Sequence, residues 1–305
     1  MKRVLILATE DDFHAYAIQA MLRKMGAGAD VVDTGAFPTS LGLTCTGDGL
    51  GDISLGACSL GGYHSIWYRR SRSPRPSDEI TNAEERRFAS RECEHALLGA
   101  LYASGKPIYN NPDRERAASR KPYQLSVAHG LGLRVPRTLI TTSADAAADF
   151  VAKHGNVIHK VFTGTDLMMA DTRPVRPEDL ADLWRLQYAP VILQEYLELG
   201  REYRVEVIED DCFVSEIAIE NPKAHFDWRL DEDYRCTPAT LPDDLLGRLV
   251  QLTRALGLNS GAIDLRETPD GVPYFLEINP TGQFLFLEIY AGLAIGERFC
   301  RMLLQ

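Results

Sequence analysis

The chain has 305 residues, 45% of them hydrophobic and 25% charged, with a net charge of −10. That length and balance predict a folded protein of two or three compact units, and the acidity excludes general nucleic-acid binding, which rewards a basic face. No stretch approaches membrane-spanning length, the opening apolar run (Val4 to Ala8) is too short for a secretory segment, and Cys45, Cys58, Cys93, Cys212, Cys236 and Cys300 show no zinc spacing, so a cytoplasmic protein with reduced thiols is expected.

Residues 3–8 (RVLILA) read as a buried strand, followed by a helix over roughly 13–25 and a second strand at 30–33, a βαβ opening. Glu10, Asp11 and Asp12 stand where a dinucleotide fold would carry glycines. Alternation around TGDGLGD predicts a hairpin within 41–60, SIWYRR (65–70) reads as a strand, SRSPRPSDEI as a loop, 82–104 as a helix with Phe88, Leu97, Leu98 and Leu101 on its apolar face, and KPIYNNP (106–112) as a strand. One helix is expected from about 112 to Gly130–Gly132, then a strand in VPRTLIT, a helix near 143–153, a strand at 156–162, a short helix at 176–186 and a β run at 190–197. The remainder reads as two strands within 201–220 around an acidic turn, a helix at 243–256, a strand pair 261–267 and 272–280 joined by TPDG, and a terminal helix at 291–304. The fold class is therefore α/β followed by α+β.

Chemistry concentrates in the last strand pair. Across one hairpin Asp264 can face Glu277, and Glu277 and Asn279, two residues apart, share a face. Two carboxylates and an amide oxygen among Phe275, Leu276 and Ile278 suit magnesium, a hard cation that takes such oxygens together with phosphate oxygens and water; a solvated strand face is the alternative. Lys121, Lys160, Arg204, Arg229 and Arg266 are candidate phosphate ligands, Lys160 the sharpest because its strand is apolar. Each of the others taken singly is more often a surface ion pair. QEYL (194–197) can present backbone groups to a purine edge, with Glu202 accepting ribose hydroxyls, although an edge strand reads as well there. The run Arg69, Arg70, Arg72 and Arg75 could touch an anionic partner but reads better as a solvated loop, and the seven histidines show no ligand spacing. No GxxxxGK[ST] loop and no GxSxG elbow is present.

Taken together, DTGAFPTS, IWYRR, KPYQLSVAHGLGLRVPRTLITT, QEYL with REYRVEV, FDWR and DLRETPDGVPYFLEINPTGQF resemble the ATP-grasp superfamily, and within it the graspetide (microviridin-type, ω-ester or ω-amide) peptide ligases, nearly end to end. The resemblance implies an ATP-grasp fold with an N-terminal pre-ATP-grasp domain (1–115), a central lobe (116–190) and a C-terminal lobe (191–305). It implies ATP and magnesium as cofactors, with two magnesium ions on Asp264, Glu277 and Asn279. Lys121 and Lys160 would contact the phosphates and the purine side. Gln194, Glu195 and Leu197 would lie at the adenine, Glu195 and Leu197 through their backbones, and Glu202 at the ribose. Arg229, Arg204 and Arg266 would hold the γ-phosphate or an acyl phosphate. It further implies a ribosomally made precursor peptide whose leader helix meets the hairpin at 205–218, and a homodimer. The glycine-rich loop usual after the second lysine is thin here, with only Gly164 in TGTDLMMADTRP.

The implied reaction phosphorylates a side-chain carboxylate of the precursor and closes a macrocycle with a hydroxyl or amine of the same peptide, needing no covalent enzyme intermediate. Two alternatives stand beside it: an ATP-grasp ligase that adds free amino acids to a peptide or small molecule, and a non-catalytic nucleotide-binding regulator.

Overall fold

A computed structural model describes residues 1–163, 172–221, 225–231 and 233–305, with Arg229 described only along its backbone. The first unit opens with β1 (Arg3–Leu7), α1 (Phe13–Lys24) and β2 (Gly28–Val32), and continues through β3 (Leu43–Thr46), β4 (Asp52–Leu55), β5 (Cys58–Ser59), β6 (Ser65–Tyr68), α2 (Ala83–Ala103) and β7 (Ile108–Tyr109). Strands β2-β1-β6-β7 form a parallel sheet and β3-β4-β5 a small antiparallel one. β1 is buried on both faces, which is why its apolar run is unbroken. Asp12 caps α1 through the His14 amide, and Asn82 caps α2 through two amides. Phe88 is 62% exposed; the buried stripe of α2 is Leu97, Ala100 and Leu101.

The single helix expected from 112 is two, α3 (Pro112–Ala118) and α4 (Lys121–Gly130). Pro122 has no N–H and cannot continue a helix from α3. The Ala118 carbonyl is taken instead by Gln124 Nε2, at 2.6 Å. Next come β8 (Thr138–Thr141), α5 (Ala144–His154), β9 (Val157–Lys160), β10 (Arg173–Pro174), α6 (Pro177–Leu180) and β11 (Val191–Glu195), whose strands make an antiparallel sheet in the order β10-β9-β11-β8. The strand beyond residue 190 thus lies in the sheet of the residues before it.

The last sheet is antiparallel, β14-β13-β12-β15-β16, from β12 (Arg201–Ile208), β13 (Asp211–Ala218), β14 (Arg235–Pro238), β15 (Ser260–Glu267) and β16 (Pro273–Asn279), with α7 (Asp243–Ala255) between β14 and β15. β14 has no counterpart among the expected elements. The expected terminal helix at 291–304 is α9 (Ile295–Leu303); before it stands α8 (Leu285–Ala291), which has no counterpart among the expected elements and ends where Gly292, at φ 67°, enters the left-handed region. One core packs α4 and α7 on Val205, Ile263, Leu265 and Phe275. Another packs α9 through Phe299, Met302 and Leu303 against α1 and Trp67, joining the chain's two ends. Each such side chain contributes about 1.5–3 kcal/mol on burial. Among the described residues no helix is long and apolar enough to cross a membrane.

Candidate functional site

The face of the last sheet opposite α4 and α7 is polar, and strand alternation decides which side chains it carries. Arg204 pairs with Asp264 across β12 and β15, Glu202 with Arg266, Asp264 with Glu277 across β15 and β16, and Ala262 with Asn279. A bulge after Asp264 leaves Leu276 without an opposite residue. Phe275 then packs in the core opposite Leu265 while Glu277, two residues on, stands beside Asp264 on the polar face.

These groups neutralise one another in pairs. Arg204 Nη1 reaches both oxygens of Asp264 at 2.8 and 3.0 Å, Arg266 Nη2 meets Glu202 at 2.7 Å, and Lys121 Nζ meets Glu277 at 2.7 Å. Burial works against the charge on Arg204, but Asp264 and Glu206 outweigh it and raise its pKa. Burial pushes Glu202 upward against the pull of Arg266, and pushes Glu206 up to about 7 against Arg204 and Arg69. Lys160, on the neighbouring sheet, keeps some surface exposure but is closely surrounded by protein. Burial brings it down to about 8, Glu277 opposing and Lys121 adding to the fall.

The first unit grips this sheet where β15 begins and β16 ends. Asn110 donates to the carbonyls of Ser260 and Pro280 and accepts from the amides of Asn259 and Ser260. Gln124 bonds both backbone groups of Ile278, fixing α4, which carries Lys121, beside Glu277. The expectation that Arg69 lies in a solvated loop is corrected: it is 2% exposed, pairs with Asp12 at 2.9 Å and donates to the Gly282 carbonyl at 3.2 Å. Its position directly after an apolar strand was the only local sign. Arg70 donates to the Thr281 carbonyl, and the Asn279 amide oxygen accepts from Thr281 N at 3.0 Å. His14, without ligand spacing, accepts the amides of Phe284 and Leu285 at Nε2. Burial, with Arg69 beside it, brings its pKa down to about 3, so the ring is neutral. Gly282 is sterically required, since a Cβ there would stand 2.2 Å from Ala262 Cβ.

The candidate nucleotide residues lie on two elements. Gln194 is buried and donates to Thr138 Oγ1, the Glu195 carboxylate takes the Arg137 amide, and the Leu197 carbonyl accepts from Arg266 Nη1 at 3.4 Å. Asp264, Glu277, Asn279, Arg204, Arg266, Glu202 and Lys121 are thus gathered on or against one sheet face, and Lys160 approaches from the neighbouring sheet. The side chains of Gln194 and Glu195 turn to β8 and the segment before it. The Arg229 side chain and Gly164 lie outside the described residues.

No family model matches the chain and no curated protein does. Solved structures do. The macrocyclase MdnC from Microcystis aeruginosa, bound with its precursor peptide MdnA, is 28% identical, with a TM-score of 0.88 over 100% of this chain and 99% of its own. A RiPP-associated ATP-grasp ligase from Chryseobacterium gregarium, in complex with ADP and a leader and core peptide, is 25% identical at 0.89, over 100% and 97%. The ATP-grasp ligase PsnB, complexed with a phosphomimetic variant of its minimal precursor, Mg and ADP, is 27% identical at 0.85, over 99% and 97%. The chain belongs to the ATP-grasp peptide ligases of the graspetide type. A RimK-domain ATP-grasp protein from Sphaerobacter thermophilus, 17% identical at 0.62, shares the fold.

The donor set of this ligase fits magnesium. Among the described residues no three His, Cys, Asp or Glu side chains gather at metal spacing. Two carboxylates and one amide oxygen on adjacent strands are what a magnesium ion takes when phosphate oxygens and water complete its shell.

Proposed function

We propose that the chain joins a side-chain carboxylate of a ribosomally made precursor peptide to a hydroxyl or amine of the same peptide, using ATP and magnesium. The observation that carries this is the single polar face on which Asp264, Glu277 and Asn279 meet Arg204, Arg266 and Lys121, in a chain similar over its whole length to ligases solved with precursor peptides. Asp264, Glu277 and Asn279 hold magnesium, which when bound neutralises the oxygens of the transferring phosphoryl group. Lys121 and Lys160 bind the phosphates, and the segment 194–197 with Glu202 binds the nucleoside between residues 116–190 and 191–305. Arg204, Arg229 and Arg266 hold the γ-phosphate and then the acyl phosphate. In the first step the substrate carboxylate oxygen bonds to the γ-phosphorus and ADP leaves. In the second the hydroxyl or amine attacks the acyl carbon, phosphate leaves, and the nucleophile's proton passes to solvent. The protein's part is positioning and charge. The leader lies along the hairpin 205–218, whose acidic turn is held by Arg254 and Arg298. A homodimer in the cytoplasm completes the reading, since ATP and newly made peptide are both found there.

The test incubates the ligase with ATP, magnesium and the peptide of the neighbouring reading frame. Loss of one water per link is expected by mass spectrometry; addition of an amino-acid residue, or no magnesium-dependent ADP release, refutes the reading. Glu277→Gln should lower turnover at least about a hundredfold, about 2.7 kcal/mol of barrier. Lys121 and Glu277 are both partly exposed, so losing their ion pair should cost no more than about 1 kcal/mol and the urea midpoint should shift little.

A further inference from the structure

Beside the polar face, and not used by the reaction as derived above, lies a cleft of about 570 Å³. It is walled by Tyr68 at the end of β6, Glu115 on α3, and Phe162 and Thr163 after β9, and Lys121 lines it too. A second recess of about 470 Å³ opens towards Asp113 and Tyr123. Arg116 and Arg120 line both, so the two recesses share a basic ridge.

The charges on this ridge are not equivalent. Arg116 is bound by Glu94 and Lys121 by Glu277. The Arg120 side chain makes no hydrogen bond or ion pair among the described residues, although the chain carries ten more negative than positive charges. Glu115 does not neutralise it. Burial pushes that carboxyl up to about 8, so it holds its proton at neutral pH. A guanidinium with no partner among the described residues, in a cleft large enough for more than one side chain and adjoining Lys121 in the sequence, selects a planar anion attached to something larger.

Resting on the ligase reading, we propose that this cleft seats the core of the peptide substrate and that Arg120 receives the side-chain carboxylate that is to be phosphorylated. A carboxylate on Arg120 lies next to the residue whose ammonium bonds Glu277, at the edge of the phosphoryl-transfer face. Tyr68 and Phe162 supply aromatic walls for the stem of that side chain, and the outer recess takes the chain that follows.

The test measures initial ADP release by the full-length ligase against ATP and against the precursor peptide of the neighbouring reading frame. Arg120→Ala should raise the KM for peptide at least tenfold and Arg120→Glu further, with Arg120→Lys recovering part of the loss and the KM for ATP staying within twofold. Arg23→Ala, an exposed charge at the end of α1, should change neither. A peptide with its core Asp and Glu replaced by Asn and Gln should inhibit the wild type and Arg120→Ala equally. An unchanged peptide KM in Arg120→Ala overturns the assignment, as does a rise in the KM for ATP, which would give the cleft to the nucleotide. A wild-type enzyme that never dehydrates the peptide overturns the ligase reading and this inference together; a working wild type with a silent Arg120 overturns this inference alone.

Discussion

Replacing Gly282 by alanine puts a methyl carbon 2.2 Å from Ala262 Cβ and 3.0 Å from Arg204 Nη2. Carbon atoms approach no closer than about 3.5 Å without repulsion, a shortfall of about 1.3 Å. Ala262 cannot recede, since it lies in β15 between β12 and β16. Gly282 has no positive φ, so alanine meets a steric obstacle and not a conformational one. The segment 280–284 must therefore move outward, pulling the Gly282 carbonyl from Arg69 and Thr281 N from Asn279. Overpacking costs about 1–3 kcal/mol and a hydrogen bond from a charged donor about 1.5–3 kcal/mol; with partial relaxation the sum is about 3 kcal/mol. At a urea m-value of about 3 kcal/mol/M the unfolding midpoint should fall by about 1 M. The magnesium concentration for half-maximal ADP release should rise severalfold, because Asn279 loses the contact that orients its amide. Ala262→Gly removes the opposing methyl, so the double variant should recover stability to within about 1 kcal/mol of wild type. A Gly282→Ala protein with the wild-type midpoint, or a double variant no better than the single, refutes the reasoning.

Two further outcomes follow from titrating groups. Lys160, brought down to about 8, is charged below that pH and neutral above it in the free ligase, whereas a bound triphosphate favours the charged form. The KM for ATP should therefore rise as pH passes upward through about 8, by up to tenfold per unit, and Lys160→Met should show a weaker but flat profile; steady-state kinetics between pH 7 and 9.5 reads this. His14 has its folded pKa lowered from 6.5 to about 3, so the unfolded chain binds more protons between those values, and its contribution to stability is lost as pH falls through that window. The slope is up to about 1.4 kcal/mol per pH unit. His14→Gln keeps an acceptor for the Phe284 and Leu285 amides but does not titrate, so urea midpoints of variant and wild type should converge as the pH falls.

The sequence by itself determined the features that depend on near neighbours along the chain. Period-two alternation put Asp264, Glu277 and Asn279 on one face, the glycine in TPDG marked the turn between their strands, and Asn82 and Asn111 began helices where their side chains reach free amides. Pro122 carried a local signal too, since it has no N–H to continue a helix, although the segment from 112 to Gly130–Gly132 was read as one. Other features were settled by tertiary structure alone. Arg69 looks like a loop charge until Asp12, 57 residues away, and the Gly282 carbonyl, 213 away, enclose it. His14 has no neighbour in the sequence that requires it; the helix end it caps is 270 residues off. Gly282 carries no sign of positive φ, so its necessity appears only once Ala262 stands opposite it. Strand periodicity and capping act over a few residues and leave a local trace, whereas a partner brought in by the packing of separate sheets leaves none.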